Sequence, residues 1–175
     1  MAKVGFFGGS FDPIHVGHLY LAITLLEKHG LDEVLFCPAA LSPHKVLSAP
    51  IASGKQRLEM IRIAIEGVSF FHALDWEVVR GGVSYTIDTL RKLVSTRPKD
   101  QFYLLLGGDA LKQIGMWKDS LEVCALASPL SEERSDFRVS STDVRMRLRQ
   151  NKYCGHMVPQ KVLAYIQEHQ LYSPL

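Results

Sequence analysis

The stretch Gly8–Leu19, GGSFDPIHVGHL, decides how this chain is read. The apolar run Val4–Phe7 precedes it and apolar residues at helical spacing follow from Leu19 to Leu26, so it is the turn between a strand and a helix. Two adjacent glycines, Gly8 and Gly9, let backbone approach a ligand, Pro13 stiffens the loop, and His15 and His18 lie on one side of the incoming helix. The helix start adds partial positive charge and free N–H donors, which suits the turn to a nucleotide phosphate.

Outward from this turn, strand and helix signals alternate. The first helix reads as Val16–His29, stopped by Gly30, and Val34–Cys37 reads as a second strand. Residues 38–50, PAALSPHKVLSAP, contain three prolines and no period, and form a long loop of the kind that often carries function. Ser53 is placed to cap a helix over Gly54–Glu66 that buries Leu58, Ile61 and Ile65, with Arg62 at the edge of that face. Next come an expected strand over Ala73–Val79, a turn at Gly81-Gly82 and a helix capped by Ser84 or Thr86 that runs through Leu93. Phe102–Leu106 reads as a fully buried parallel strand ending in Gly107-Gly108-Asp109. Ser128–Asp136 reads as a polar, charged insertion, Ser140–Asp143 caps a basic helix carrying Arg145, Arg147 and Arg149, and Pro159 opens a last amphipathic helix to about His169. The alternation predicts an α/β fold with a doubly wound parallel sheet, Rossmann-like, as one domain over residues 1–175, with its ligand crevice beyond the carboxyl ends of the strands.

Composition narrows the function classes. With 175 residues, 47% of them hydrophobic, the chain can bury one core. Cys37, Cys124 and Cys154 are odd in number and widely spaced, so they suggest neither a disulfide framework nor a zinc knuckle. A net charge of +2 suits an anionic small substrate but lacks the dense basic stripe of a nucleic-acid binder. The N-terminal stretch is too short for a secretory signal or a membrane span, so a cytoplasmic chain with no membrane partner is expected. The terminal apolar segment Val158–Ile166 is equally suited to packing internally or between subunits, so it leaves the oligomeric state open.

Three elements can hold phosphate. In the first loop, glycine N–H groups, the helix start, His15 and His18 can all direct donors at one triphosphate, with imidazolium offsetting the charge of a leaving pyrophosphate; the competing reading is that the two histidines only cap and pack. No third ligand of suitable spacing supports a zinc site. Ser42–Lys45, SPHK, can hold a phosphate monoester through His44 and Lys45, or be solvated loop. Ser140, Ser141, Thr142 and Arg145 repeat the first design, although SSTDVR alone is only a good helix cap. Together the three suit a reaction between two phosphates, where positioning and charge neutralisation supply most of the rate and no nucleophilic serine or cysteine is required.

With these residues in place, the chain closely resembles the nicotinate-nucleotide adenylyltransferases, nucleotidyltransferases marked by an HxGH loop. GGSFDPIHVGHL, the PHK loop, SYTIDTL at Ser84–Leu90, GGDAL at Gly107–Leu111, Trp117 and SSTDVR occur in the family's order along nearly the whole length. The resemblance implies transfer of AMP from ATP to nicotinate mononucleotide with magnesium, giving nicotinate adenine dinucleotide and pyrophosphate. It implies that Gly8, Gly9, Ser10 and Phe11 line the nucleotide cleft, that His15 and His18 bind the ATP phosphates, and that Ser141, Thr142 and Arg145 close on them. Gly107 and Asp109 would lie by the nucleotide, Asp109 near its ribose. His44 and Lys45 would hold the mononucleotide phosphate, and Thr86 and Trp117 its ring, the indole by stacking. His15, His18, Lys45 and Arg145 would thus be the catalytic residues, with magnesium carried by the triphosphate and no protein metal cage. Asp12 reads as an Asp-Pro turn. Two departures stand out: Gly108 sits beside Gly107 where the family has one glycine and a small residue, and the apolar part Leu121–Ala127 is short with no clear strand of the family's kind following it, Arg134 or Arg138 standing in place of the family's basic residue. Other acceptors, nicotinamide mononucleotide or phosphopantetheine, and a nucleotide-binding protein without turnover are the competing readings.

Overall fold

The first strand shows why both faces of the sheet are covered. In β1 (Lys3–Gly9), Val4 and Phe6 point into one apolar layer and Phe7 into the other, and all three are at most 5% exposed. The same alternation runs through β2 (Glu33–Pro38) and β4 (Gln101–Leu106), where Leu35 and Leu104 share the layer of Phe6 while Phe36 and Leu105 share that of Phe7. A computed structural model of the chain describes residues 1–43, 49–132 and 139–173. In it β3 (Phe71–Ala73) and β5 (Ala127–Ser131) complete one parallel sheet in the order β3-β2-β1-β4-β5.

Helices α1 (Val16–His29), α2 (Gly54–Ala64), α7 (Ser141–Arg149) and α8 (Gln160–Glu168) contribute to the Phe7 layer, and α4 (Thr86–Thr96) and α6 (Ser120–Leu126) to the Phe6 layer. Two short helices, α3 (Trp76–Arg80) and α5 (Gly108–Gln113), follow β3 and β4. The chain winds outward from β1 through β2 and β3, then crosses to β4 and β5 on the other side. The order therefore reverses between β1 and β4, and the loops leaving these two strands separate there to open a crevice. The first helix keeps its expected bounds, and Gly30 ends it in the left-handed region at φ 59°, where a side chain would be strained.

Four expectations are corrected. The strand expected over Ala73–Val79 is only Phe71–Ala73, because the chain turns into α3 and carries the Glu77 carboxylate inside, where it accepts the Thr89 hydroxyl at 2.6 Å. Neither Ser84 nor Thr86 caps α4: Tyr85 is the N-cap, Thr86 is the first helical residue, and the Ser84 hydroxyl instead accepts the Ala40 N–H at 2.9 Å. No clear strand is expected after the short apolar segment Leu121–Ala127, yet that segment is α6 up to Leu126 and β5 follows it directly. Most of β5 lies in what read as the start of a polar insertion, and an edge strand paired on one side tolerates that polarity. Finally, α2 ends at Ala64 and α4 continues beyond Leu93 to Thr96. Arg134, Asp136 and Arg138 lie outside the described residues, and among the described residues no helix is long and apolar enough to cross a membrane.

Candidate active site

At the carboxyl end of β1 the chain turns through Phe11, held at φ 47°, into a helix start made of two histidines. His15 is the N-cap of α1, and the imidazole rings of His15 and His18 stack with centroids 3.6 Å apart and planes 18° apart. Gly17 between them lets the rings pack closely, since a Cβ there would lie 3.1 Å from His15 Nδ1 and the ring would have to give way. His18 Nδ1 accepts the His15 backbone N–H at 3.2 Å, which leaves the ring proton on Nε2. The ring is backed edge-on by Phe11 at 4.9 Å and Phe7 at 5.9 Å. Phe11 itself is 1% exposed, so its side chain supports His18 from below and any part it takes in lining the cleft is that of its backbone.

Burial at 6% exposure pushes the His15 pKa from 6.5 to about 4, opposed more weakly by its backbone hydrogen bond and by Asp143. His15 is therefore a neutral ring at neutral pH, and the expected imidazolium is corrected there. Among the described residues its Nδ1 is buried without a hydrogen-bond partner. The expectation of free N–H donors is also reduced, because the first helical amide, Val16 N–H, donates to the Met157 carbonyl at 2.9 Å. No acidic side chain occupies the first turn of α1 itself, and the nearby acid acting on its cap, Asp143, belongs to α7.

Helix α7 brings the second phosphate-capable element against the first. The Ser141 hydroxyl donates to the Pro13 carbonyl at 2.9 Å, and Arg145 donates to the Asp12 carbonyl at 2.6 Å and to the Thr142 hydroxyl at 3.3 Å. Ser140 caps the helix, accepting Asp143 N–H at 3.1 Å while its hydroxyl donates to the Asp143 carboxylate at 2.6 Å. Asp12 does more than make a turn: its carboxylate accepts Ile51 N–H at 2.9 Å, Ala52 N–H at 3.1 Å and the Tyr172 hydroxyl at 2.7 Å, and stands 3.9 Å from Arg145. Arg57, 1% exposed, gives its donors to the carbonyls of Ser10, Ala40 and Ala52. Sequence reasoning passed over Arg57, although it lies one helical repeat before Ile61 on the buried stripe of α2, which was the available signal. Tyr172 has no such periodic signal.

The crevice between β1 and β4 holds a cleft of about 600 Å³. Gly8, Gly9 and Ser10 line it on the β1 side, Gly107 on the β4 side, and Thr86 and Trp117 beyond them. Glu77, which the sequence read as part of a strand, also reaches it, and burial together with Glu77 raises the pKa of the neighbouring Cys37 thiol. Asp109 is exposed in the first turn of α5, outside the lining of this cleft. His44 and Lys45 lie outside the described residues.

Residues 6–147 match the family described as cytidylyltransferase-like. A protein of Opitutus terrae named "probable nicotinate-nucleotide adenylyltransferase" is 37% identical over 98% of this chain and 98% of its own. A protein of the same name from Geobacillus kaustophilus is 36% identical over 99% of this chain and 87% of its own. Among solved structures, the Plasmodium falciparum nicotinic acid mononucleotide adenylyltransferase complexed with NaAD shares the fold, with a TM-score of 0.79, 98% of both chains covered and 18% identity. Family identity thus follows from the two relatives and the matched model together: the chain belongs to the nicotinate-nucleotide adenylyltransferases, within the cytidylyltransferase-like proteins.

Proposed function

We propose that the protein is an adenylyltransferase that moves AMP from ATP to nicotinate mononucleotide, releasing pyrophosphate and forming nicotinate adenine dinucleotide for NAD biosynthesis. The observation that carries this reading is the shared cleft. Backbone of the Gly8–Ser10 turn, which leads into the histidine pair, lines the same crevice as Thr86 and Trp117. A phosphate-binding turn and a flat aromatic surface in one crevice suit a pyridine nucleotide and ATP joined at their phosphates. Substrates of this kind also fit the cytoplasmic location expected from the sequence.

In this reading, an oxygen of the mononucleotide phosphate attacks the α-phosphorus of ATP in line, and the bond to the pyrophosphate oxygen breaks as the new one forms. The attacking phosphate is already ionised, so no general base is needed. His18 donates Nε2–H to the triphosphate, the neutral His15 ring holds His18 in register by stacking, and Arg145 meets the charge that builds on the leaving group. Ser141 and Thr142 set Arg145 against the loop, Gly107 and Asp109 attend the nucleotide, and His44 and Lys45 hold the mononucleotide phosphate. Thr86 and Trp117 hold the pyridine ring. Magnesium would be carried on the triphosphate, where it would spread charge over the phosphate oxygens.

Tryptophan fluorescence tests the acceptor half. The chain has two tryptophans, so Trp117→Phe leaves Trp76 as an internal reference. Nicotinate mononucleotide should quench the wild type and not Trp117→Phe, and Trp117→Ala should raise the KM for mononucleotide more than that for ATP. Equal rises in both KM values would remove ring stacking as the function of Trp117.

A further inference from the structure

We propose that Arg57, which nothing above assigns to the reaction, is a positioning residue that fixes the two loops carrying the phosphate-binding groups relative to each other. The proposal rests on the adenylyl-transfer reading. Arg57 comes from α2, yet among the described residues its hydrogen bonds go to carbonyls and none to an acidic side chain. Nε donates to Ala52 O at 3.1 Å, Nη1 to Ser10 O at 2.7 Å and Nη2 to Ala40 O at 3.2 Å. The three carbonyls belong to the turn after β1, the start of the long loop after β2, and the end of that same loop. One guanidinium thus ties both ends of the loop that bears His44 and Lys45 to the loop that leads into His15 and His18.

Two observations make this more than core packing. First, a charge at 1% exposure is costly to bury, and an apolar side chain of similar volume would fill the space without that cost. Burial lowers the guanidinium pKa while Asp12 opposes the shift, so the carboxylate on the first loop is part of what keeps the charge inside. Second, the same joint is held again from other directions. Asp12 accepts the N–H groups of Ile51 and Ala52, the Ser84 hydroxyl accepts the N–H of Ala40, and Ser84 N–H donates to Leu41 O at 2.8 Å. Ala40 is therefore fixed at both its N–H and its carbonyl.

The peptide geometry gives the consequence. In a trans peptide the C=O and the following N–H point in opposite directions, so drawing the Ser10 carbonyl to Arg57 turns the Phe11 N–H away from it, and the Ala40 carbonyl does the same for Leu41. Phe11 sits at φ 47°, a conformation that persists only where its surroundings over-determine it. Arg57 supplies one of those constraints directly at the preceding residue. In a reaction driven by alignment of two phosphates, loosening this joint displaces one substrate against the other, and a displacement of about 1 Å can cost roughly a hundredfold in rate.

The test compares Arg57→Lys and Arg57→Met with wild type, with Ser84→Ala as a milder variant acting on the same Ala40 peptide from the other side. Turnover is expressed per ATP-binding site, so that a loss of folded protein does not register. The expected result is that kcat per site falls about tenfold in Arg57→Lys and further in Arg57→Met, with the KM for ATP within about threefold, and that Ser84→Ala shows a smaller fall. Amide hydrogen exchange should quicken at Phe11 and Leu41 but not at Val162 and Ile166 in α8. Unchanged kcat per site, or exchange that quickens equally in all four amides, would overturn the proposal. If wild type itself turns over no acceptor, the adenylyl-transfer reading fails, and the exchange comparison alone then decides whether Arg57 fixes the loops.

Discussion

Two helix starts face each other at the proposed phosphate site, and they are built in opposite ways. The start of α7 is satisfied internally: Ser140 caps it, and Asp143 sits in its first turn against the positive end. The start of α1 has no acid in its first turn, a buried neutral His15 as its cap, and His18 held by the His15 amide with its proton left on Nε2. The two ends therefore contribute differently. Helix α1 offers an external anion a helix end with no acid in its first turn and the His18 imidazole, whereas α7 has its own cap and an acid in its first turn and contributes chiefly the side chain of Arg145.

The sharpest break of this contrast is His18→Ala, which removes the aimed donor. Turnover should fall by about 10²–10³, with a melting temperature close to that of wild type because the ring is only partly buried. Arg145→Ala should cost less in turnover, about tenfold to a hundredfold, and Arg145→Lys should recover part of it; steady-state rates at saturating substrates decide.

The buried cap separates the two starts by pH. The folded-state pKa of His15 is about 4, against 6.5 for the unbound ring. Between these values the unfolded chain takes up a proton that the folded chain does not, so this contribution to stability is complete above about pH 6.5 and is lost as pH falls toward 4, up to about 3 kcal/mol. Urea unfolding at pH 7 and pH 4.5 should show the loss, and His15→Gln should flatten it. The smallest effect belongs to the satisfied end: Ser140→Ala should cost about 1 kcal/mol in unfolding free energy and leave turnover within about twofold. A large loss of activity there would mean that the start of α7 binds phosphate itself, and the contrast would fall.

What was legible in the sequence follows the same division. The turn Gly8–Leu19 could be read because its glycines, proline and histidines each answer a local requirement, and Gly17 between two stacked rings is such a case. The sheet could be read wherever apolar runs such as Phe102–Leu106 are buried on both faces. It misled at the edges, where β3 shortens and β5 is polar, because an edge strand has one partner and little apolar demand. The charge state of His15 was invisible, since it depends on burial that only the folded chain brings. Arg57 and Tyr172 escaped because their partners are main-chain carbonyls and a carboxylate 160 residues away, contacts that no local pattern encodes.

In the proposed reaction the chain joins a pyridine mononucleotide to ATP at the shared cleft. The most direct test is pyrophosphate release by purified protein with ATP and magnesium, offering nicotinate mononucleotide, nicotinamide mononucleotide and phosphopantetheine in parallel. Selective release with nicotinate mononucleotide, matched mole for mole by nicotinate adenine dinucleotide, is the predicted result. ATP binding with no release from any of the three, or release with phosphopantetheine alone, would contradict it.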